Sequence, residues 1–289
     1  MQEKQAEKPK TKQQMRVRQM AASKRFGMYK KEEKKEVREA DVNEERTLKR
    51  LKEAWTGFDY DRTVRCIVQI EYEKALSLIG NLDYSAHDLE RFSIILADFQ
   101  NESMFSEKAG LFLSALINSG RDMDFKLFTR HLDVRIDQFG GDNTKNITII
   151  GGLGFRVGYG MKRGSIVIEG DVGGGVGTGV KGMEGGIIIV KGNALGAVGM
   201  CMKGGKIIVE GNVSDSGEGM EGGEIIIKGN VGEKVGEFMK DGIVIIHGNA
   251  ESVGYKMEGG EIHVEGEIGK IGNVIHGKIF HRGKLIVDK

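Results

Sequence analysis

Four histidines in the last third of the chain, His247, His263, His276 and His281, are the residues best suited by type to bind a metal or shuttle a proton. His247 and His263 fall on neighbouring copies of a repeat and face outward. His276 and His281 lie where the repeat reads as carrying an insertion. Surface or partner-facing histidines are a simpler reading than a metal site. Cys66 and Cys201 are the only cysteines. Two cysteines exclude a disulfide framework, a four-cysteine zinc site and an iron–sulfur site, and they suit reduced thiols in a cytoplasmic chain. The run Gly173-Gly174-Gly175-Val176-Gly177-Thr178-Gly179 invites a phosphate, but it lacks the strand–loop–helix setting that aims a helix dipole at one, and no Walker lysine follows. There is no Gly-x-Ser-x-Gly elbow, zincin helix or kinase set. No catalytic, metal or cofactor-binding residue is therefore assigned, and no cofactor is expected. An enzyme with a site near His247, His263 and His276 stands as a third option.

The elements that carry these residues are repeats. Met161, Met183, Met202, Met220, Met239 and Met257 each precede a glycine by three residues (Gly164, Gly186, Gly205, Gly223, Gly242, Gly260). A short Ile/Val run follows and ends at Gly170, Gly192, Gly211, Gly229, Gly248 or Gly266. Most intervals between the methionines are 18 or 19 residues. Such a period marks stacked supersecondary units. One strand of this kind cannot bury its apolar face, but coils stacked at about 4.8 Å can, as a parallel β-helix. Proline would break the ladder between coils, and the single proline is Pro9. The six strand-ending glycines are read as structural.

Side chains alternate along each strand. Residues two and four before the terminal glycine, such as Ile207 and Val209 or Ile225 and Ile227, point inward. Glu169, Lys191, Glu210, Lys228, His247 and Glu265 point outward and place opposite charges on neighbouring coils, which favours the correct register. Between these columns lies an outward aliphatic stripe: Val167, Ile189, Ile208, Ile226 and Ile245, with His263 next. A contiguous apolar stripe implies a cover: the helical region, the N-terminal arm or another subunit. Asp171, Asn193, Asn212, Asn230, Asn249 and Glu267 follow the glycines as turn formers that can bond between coils. The methionines, continued by Phe280, form an interior stack of adaptable side chains. Insertions are expected at Thr178–Gly182 and near Asn273–Lys278.

Six glycines precede residue 141, leaving 39 of the 45 in residues 141–289. The shift marks a boundary near Gly140-Gly141. Residues 44–140 read as a helical domain. Leu48, Leu51 and Trp55 recur at helical spacing, as do Val64, Ile67, Ile70, Ala75 and Leu78. Ser85 with Asp88 predicts a capping box before Leu89, Phe92, Ile95, Leu96 and Phe99. Leu111, Leu113, Leu116 and Ile117 predict a fourth helix stopped near Gly120. Phe125, Phe128 and Leu132 suggest a short fifth. Residues 1–43 read as a flexible arm. Within it, residues 1–31 hold ten Lys/Arg against Glu3 and Glu7, so that a net +8 is balanced by −7 elsewhere to give the chain's +1. That arm suits nucleic acid or another acidic partner. No secretory signal or membrane span is expected.

The repeat resembles the GXGXG β-helix superfamily, seen in the C-terminal domain of the glutamate synthase large subunit and in one of the subunits of formylmethanofuran dehydrogenase. Residues 199–212 and 220–230 resemble the dehydrogenase version, while Gly151–Met161 with Asp171-Val172-Gly173 are similar to the synthase version. The likeness covers about half the chain and implies the fold class: α + β, a small helical domain followed by a right-handed single-stranded parallel β-helix. In both relatives this domain carries none of the bond chemistry. The resemblance therefore implies a non-catalytic scaffold or accessory subunit, associated with a redox complex and joined to protein partners or to itself through Val167, Ile189, Ile208, Ile226 and Ile245. The alternative is a module that binds nucleic acid or an acidic partner through its arm.

Overall fold

The computed structural model describes residues 45–61, 67–177 and 182–289. The chain divides into two compact units, Met1–Lys49 and Arg50–Lys289. Of the first, residues 45–49 are described, and they are helical. The basic arm, with its candidate nucleic-acid contact at residues 1–31, lies outside the described residues.

The second unit opens with α1 (50–57), α2 (Ile67–Ile79), α3 (Ala86–Ile95), a 3-10 turn (Leu96–Phe99) and α4 (Phe105–Ser119). These helices close on Trp55. Its ring meets Phe99, Phe105 and Phe112 at centroid distances of 5.6, 5.9 and 5.5 Å, with Phe92 at 6.5 Å. Lys108 of α4 is buried over the same ring, 4.4 Å from its centroid, and Glu102 neutralises it at 2.9 Å. The Ser85–Asp88 capping box forms as expected. In α2 the inward face is Glu71, Ala75 and Ile79; of the expected apolar positions Ala75 is buried, while Ile70 and Leu78 are exposed. Buried Glu71 is held by Lys74 at 2.6 Å, and a carboxylate on the inner face hides that face from a count of apolar residues.

The strands, in chain order, are β1 (Asp124–Phe128), β2 (Asn146–Ile150), β3 (Leu153–Val157), β4 (Ser165–Ile168), β5 (Val172–Val176), β6 (Ile187–Val190), β7 (Ala194–Val198) and β8 (Lys206–Val209). They continue with β9 (Val213–Ser216), β10 (Glu221–Ile227), β11 (Asp241–Ile246), β12 (Ala250–Val253), β13 (Glu261–Val264), β14 (Ile268–Ile271), β15 (Lys278–His281) and β16 (Lys284–Asp288). They build a parallel β-solenoid. One ten-stranded sheet runs β1-β2-β4-β6-β8-β10-β11-β13-β15-β16, parallel throughout except for the final antiparallel pair.

Three features differ from the sequence-based expectations. The fifth helix is strand β1: Phe125 and Leu127 are buried while Asp124 and Lys126 are exposed, a period of two, and β1 pairs in parallel with β2. The solenoid thus begins well before the glycine-rich region. Between each strand-ending glycine and the next methionine, where the repeat with its Val-Gly pairs (Val157-Gly158, Val176-Gly177, Val198-Gly199) reads as a loop, the chain forms a second parallel sheet, β3-β5-β7-β9, with β12-β14 continuing as a separate pair. Finally, Val274, not Phe280, continues the methionine column. Val274 is buried three residues before Gly277, and Ile275 N–H donates to the Met257 carbonyl at 2.8 Å, just as Glu258 N–H donates to Met239 one coil earlier. Phe280 sits opposite His263 on the outer face. Counted from Val274 the last coil has no insertion. Residues 178–181 of the other predicted insertion lie outside the described residues.

The bore is aliphatic. Ile166, Ile168, Ile188, Val190, Ile207, Val209, Ile225, Ile227, Val244, Ile246 and Ile262 are fully buried, as are all six stacked methionines. Each such side chain contributes about 1.5–3 kcal/mol by leaving water. The Met-x-x-Gly spacing has a steric cause. The Met202 methyl lies where a side chain at Gly223 would begin, 2.7 Å from the ideal Cβ position, and Gly223 has φ +91°. The same contact recurs from Met183 to Gly205 and from Met239 to Gly260. A second column locks the coils at the strand ends. Gly192 N–H donates to Gly170, Gly211 to Gly192, Gly229 to Gly211, Gly248 to Gly229 and Gly266 to Gly248.

Candidate docking stripe

The aliphatic stripe is assembled by register alone. Val167, Ile189, Ile208, Ile226 and Ile245 occupy successive paired positions on β4, β6, β8, β10 and β11. The column continues to His263 and Phe280, whose rings stack at 4.3 Å with an interplanar angle of 4°. All seven residues are half-buried by their neighbours along the strand and across it. Helices α2, α3 and α4 pack elsewhere: α2 on α4, α3 on β1, and α4 on the segment that follows β1, where Ser114 Oγ accepts from Gly140 N–H at 2.8 Å.

Charged ladders border the stripe. On one side Lys191 binds Glu169 at 2.6 Å, Lys228 binds Glu210 at 2.8 Å and His247 binds Glu265 at 2.7 Å. The other side carries Lys206–Glu224 at 2.7 Å and His263–Glu261 at 3.1 Å. The hydrogen bond to Glu169 raises the Lys191 pKa, and the hydrogen bond from Lys228 lowers that of Glu210. These pairs are solvent-exposed and screened by water, so each adds little to stability. Their function is to fix which coil faces which.

Two further aliphatic residues widen the surface. Ile187 and Ile243, 41% and 38% exposed, stand five residues before Gly192 and Gly248. Counting back one more alternation from those glycines would have found them in the sequence. The apolar surface is therefore a band rather than a single file.

The turn column after the strands bonds through side chain to backbone. Asp171 Oδ1 accepts the Asn193 N–H at 2.7 Å. Asn193, Asn212, Asn230 and Asn249 in turn accept from Asn212, Asn230, Asn249 and Glu267 at 2.8–2.9 Å. These oxygens are committed to holding coils together.

The histidines do not converge. His247 and His263 sit in different outward columns with separate glutamate partners, and His281 Nε2 lies 2.9 Å from the Gly266 carbonyl oxygen. Among the described residues no cluster of three potential metal-binding side chains exists. The glycine run begins as strand β5, where Gly174 lies beneath the Phe155 ring; Thr178 and Gly179 lie outside the described residues. Cys201 is a free thiol in a turn with φ +57°, and Cys66 lies outside the described residues. Among the described residues no helix is long and apolar enough to cross a membrane.

Comparison with protein-family models finds none that matches this chain, and comparison with curated proteins finds no match either.

Proposed function

We propose that this chain is a non-catalytic solenoid scaffold or accessory subunit, whose aliphatic band on the ten-stranded sheet docks a partner chain. The observation that carries the reading is the unbroken column Val167–Ile189–Ile208–Ile226–Ile245, flanked by Ile187 and Ile243, with none of helices α2, α3 and α4 packed on it. A flat, parallel, β-branched surface edged by fixed charges suits a protein partner: the centre supplies burial and the rim supplies orientation. The GXGXG-like repeat favours a partner from a redox assembly of the glutamate synthase or formylmethanofuran dehydrogenase kind, in a cytoplasmic setting.

The test is native mass measurement of the tagged chain isolated from its source, beside the variant Ile208→Lys with Ile226→Glu. That pair sets opposite charges on neighbouring rungs, so the fold survives while the band's centre becomes polar. A partner carrying redox cofactors on the unaltered chain and its absence on the variant are expected. An equal yield of partner from both chains, or none from the unaltered chain, would contradict the reading.

A further inference from the structure

The outer face of the ten-stranded sheet has a hidden symmetry about its middle, the line between β8 and β10. Outward residues at equal distances from that line match in pairs. In the central column Ile208 answers Ile226 and Ile189 answers Ile245. Further out, the small Val167 and Thr148 answer the stacked rings of His263 and Phe280. In the column on one side Lys206 answers Glu224, and exposed Ile187 answers exposed Ile243. In the column on the other side Glu210 answers Lys228. Apolar matches apolar, small matches large, and charge matches opposite charge.

We infer that the occupant of the docking band, when the chain is alone, is a second copy of this chain. The two sheets pack face to face with their strands aligned, about a two-fold axis that runs along the strand direction between β8 and β10. The inference rests on the band being a docking surface and names what covers it. The axis sets the Lys206–Glu224 pair of one copy over the Glu224–Lys206 pair of the other, an alternating quartet, and does the same with Glu210–Lys228 on the far side. Ile187 meets Ile243 twice. Lys191 faces His247, an imidazole that need not carry charge. Across the eight rungs from β2 to β15 the like charges that face each other are Glu169 and Glu265, and each already bonds its own Lys191 or His247.

A two-fold along the stack would instead set Ile187 against Lys191, Glu261 against Glu265 and Lys278 against Arg282, which is unfavourable. The face is clear at the capped end too, since the outward Asp124 and Lys126 of β1 are exposed. Eight rungs at about 4.8 Å present a face of roughly 40 by 15 Å, so two copies bury on the order of 1,200 Å², the low end for a specific interface. Such a dimer dissociates readily, and a tighter partner can displace one copy. The interface is isologous and closes at two copies.

The facing isoleucines supply the test. Ile187→Glu places a carboxylate between Ser165 and Lys206 of its own sheet, and Ile243→Lys places an ammonium between Glu224 and Glu261, so neither variant strains the monomer. Across the axis each sets a charge against an isoleucine twice, and self-association should weaken roughly tenfold or more. Mixed one to one, the new carboxylate meets the new ammonium and the second Ile187–Ile243 contact is native. The mixed dimer should therefore form in preference to either homodimer, read by analytical ultracentrifugation with one variant labelled. Circular dichroism checks that each variant keeps the solenoid. An unaltered chain that stays monomeric at hundreds of micromolar would overturn the inference. So would a dimer indifferent to both substitutions, or variants that show no preference for each other when mixed. These results leave the docking reading itself standing; that reading falls only if capture from the native source yields no partner that depends on the band.

Discussion

The two ends of the solenoid show two solutions to one problem. A stack of parallel coils buries its side chains against the coils above and below, so its first and last rungs each present an open face. At the β1 end the chain closes its own stack, with helices centred on Trp55 and with Ser93 satisfying an edge donor. At the β16 end the strand reverses direction, and its outer residues Leu285 and Ile286 stay exposed. The difference teaches that the repeat is indifferent to what covers it. A bundle of aromatics serves at one end, and a single reversed strand serves at the other.

The comparison breaks most easily at the helical end. Trp55→Ala removes the ring that four phenylalanines surround and should cost about 3–5 kcal/mol, measured by denaturant unfolding. Aggregation through the uncovered β1 edge should accompany it. Leu285→Gln at the other end should leave the unfolding midpoint of the monomer within about 0.5 kcal/mol. Equal losses at both ends would erase the distinction.

Midway between the ends, Met202→Ala should cost about 2–5 kcal/mol through the cavity it leaves. Gly223→Ala should cost about 2–3 kcal/mol, through its left-handed backbone and the Met202 methyl. Combined, the two should fall short of additivity by about 1 kcal/mol, because removing the methyl makes room for the new Cβ. Strict additivity in unfolding experiments would show that the methionine column does not set the glycine column.

The ladder that spans both halves gives a smaller effect. Asn212→Ala deprives the Asn230 N–H of its acceptor in a solvent-exposed turn, and about 0.5–1 kcal/mol should be lost on thermal unfolding.

pH separates the ends most gently. Lys228 and Lys240 hold Glu210 and Glu221 below the ordinary 4.5, so the stability from those pairs is present above 4.5 and fades as pH falls through the depressed values. Lys191 and Lys240 are raised above 10.5; their share is present below 10.5 and fades as pH climbs through the raised values. The solenoid should thus lose a little stability at both extremes. In the helical cap, burial pushes Tyr84 up to about 12, with its hydroxyl donating to the Leu116 carbonyl at 2.7 Å. A phenolate step near pH 12 that vanishes in Tyr84→Phe is expected in ultraviolet titration.

How much of this the sequence revealed follows from which physical signal each element carried. The main sheet was legible because Ile and Val alternate with Glu and Lys before a fixed glycine, and inward and outward positions fall where that alternation puts them. The second sheet was hidden because strands such as Val172-Gly173-Gly174-Gly175-Val176 have few side chains to show a period. Strand β1 was misread because Phe125, Phe128 and Leu132 mimic helical spacing, while the informative pair was Phe125 and Leu127. Phe280 drew attention by size away from Val274, which fills the methionine position. The docking band was legible as a column and incomplete in width, since Ile187 and Ile243 precede it by one alternation. Strand β16 was not legible, because the register shift at Ile286 breaks its alternation.

The contrast between the ends is tested most directly by amide hydrogen exchange. The Asp288 amide, on the open edge, should exchange fast, while the Phe128 amide, bonded to Ser93 Oγ at 3.0 Å, should exchange slowly. A Phe128 amide that exchanges as fast as that of Asp288 would contradict the account.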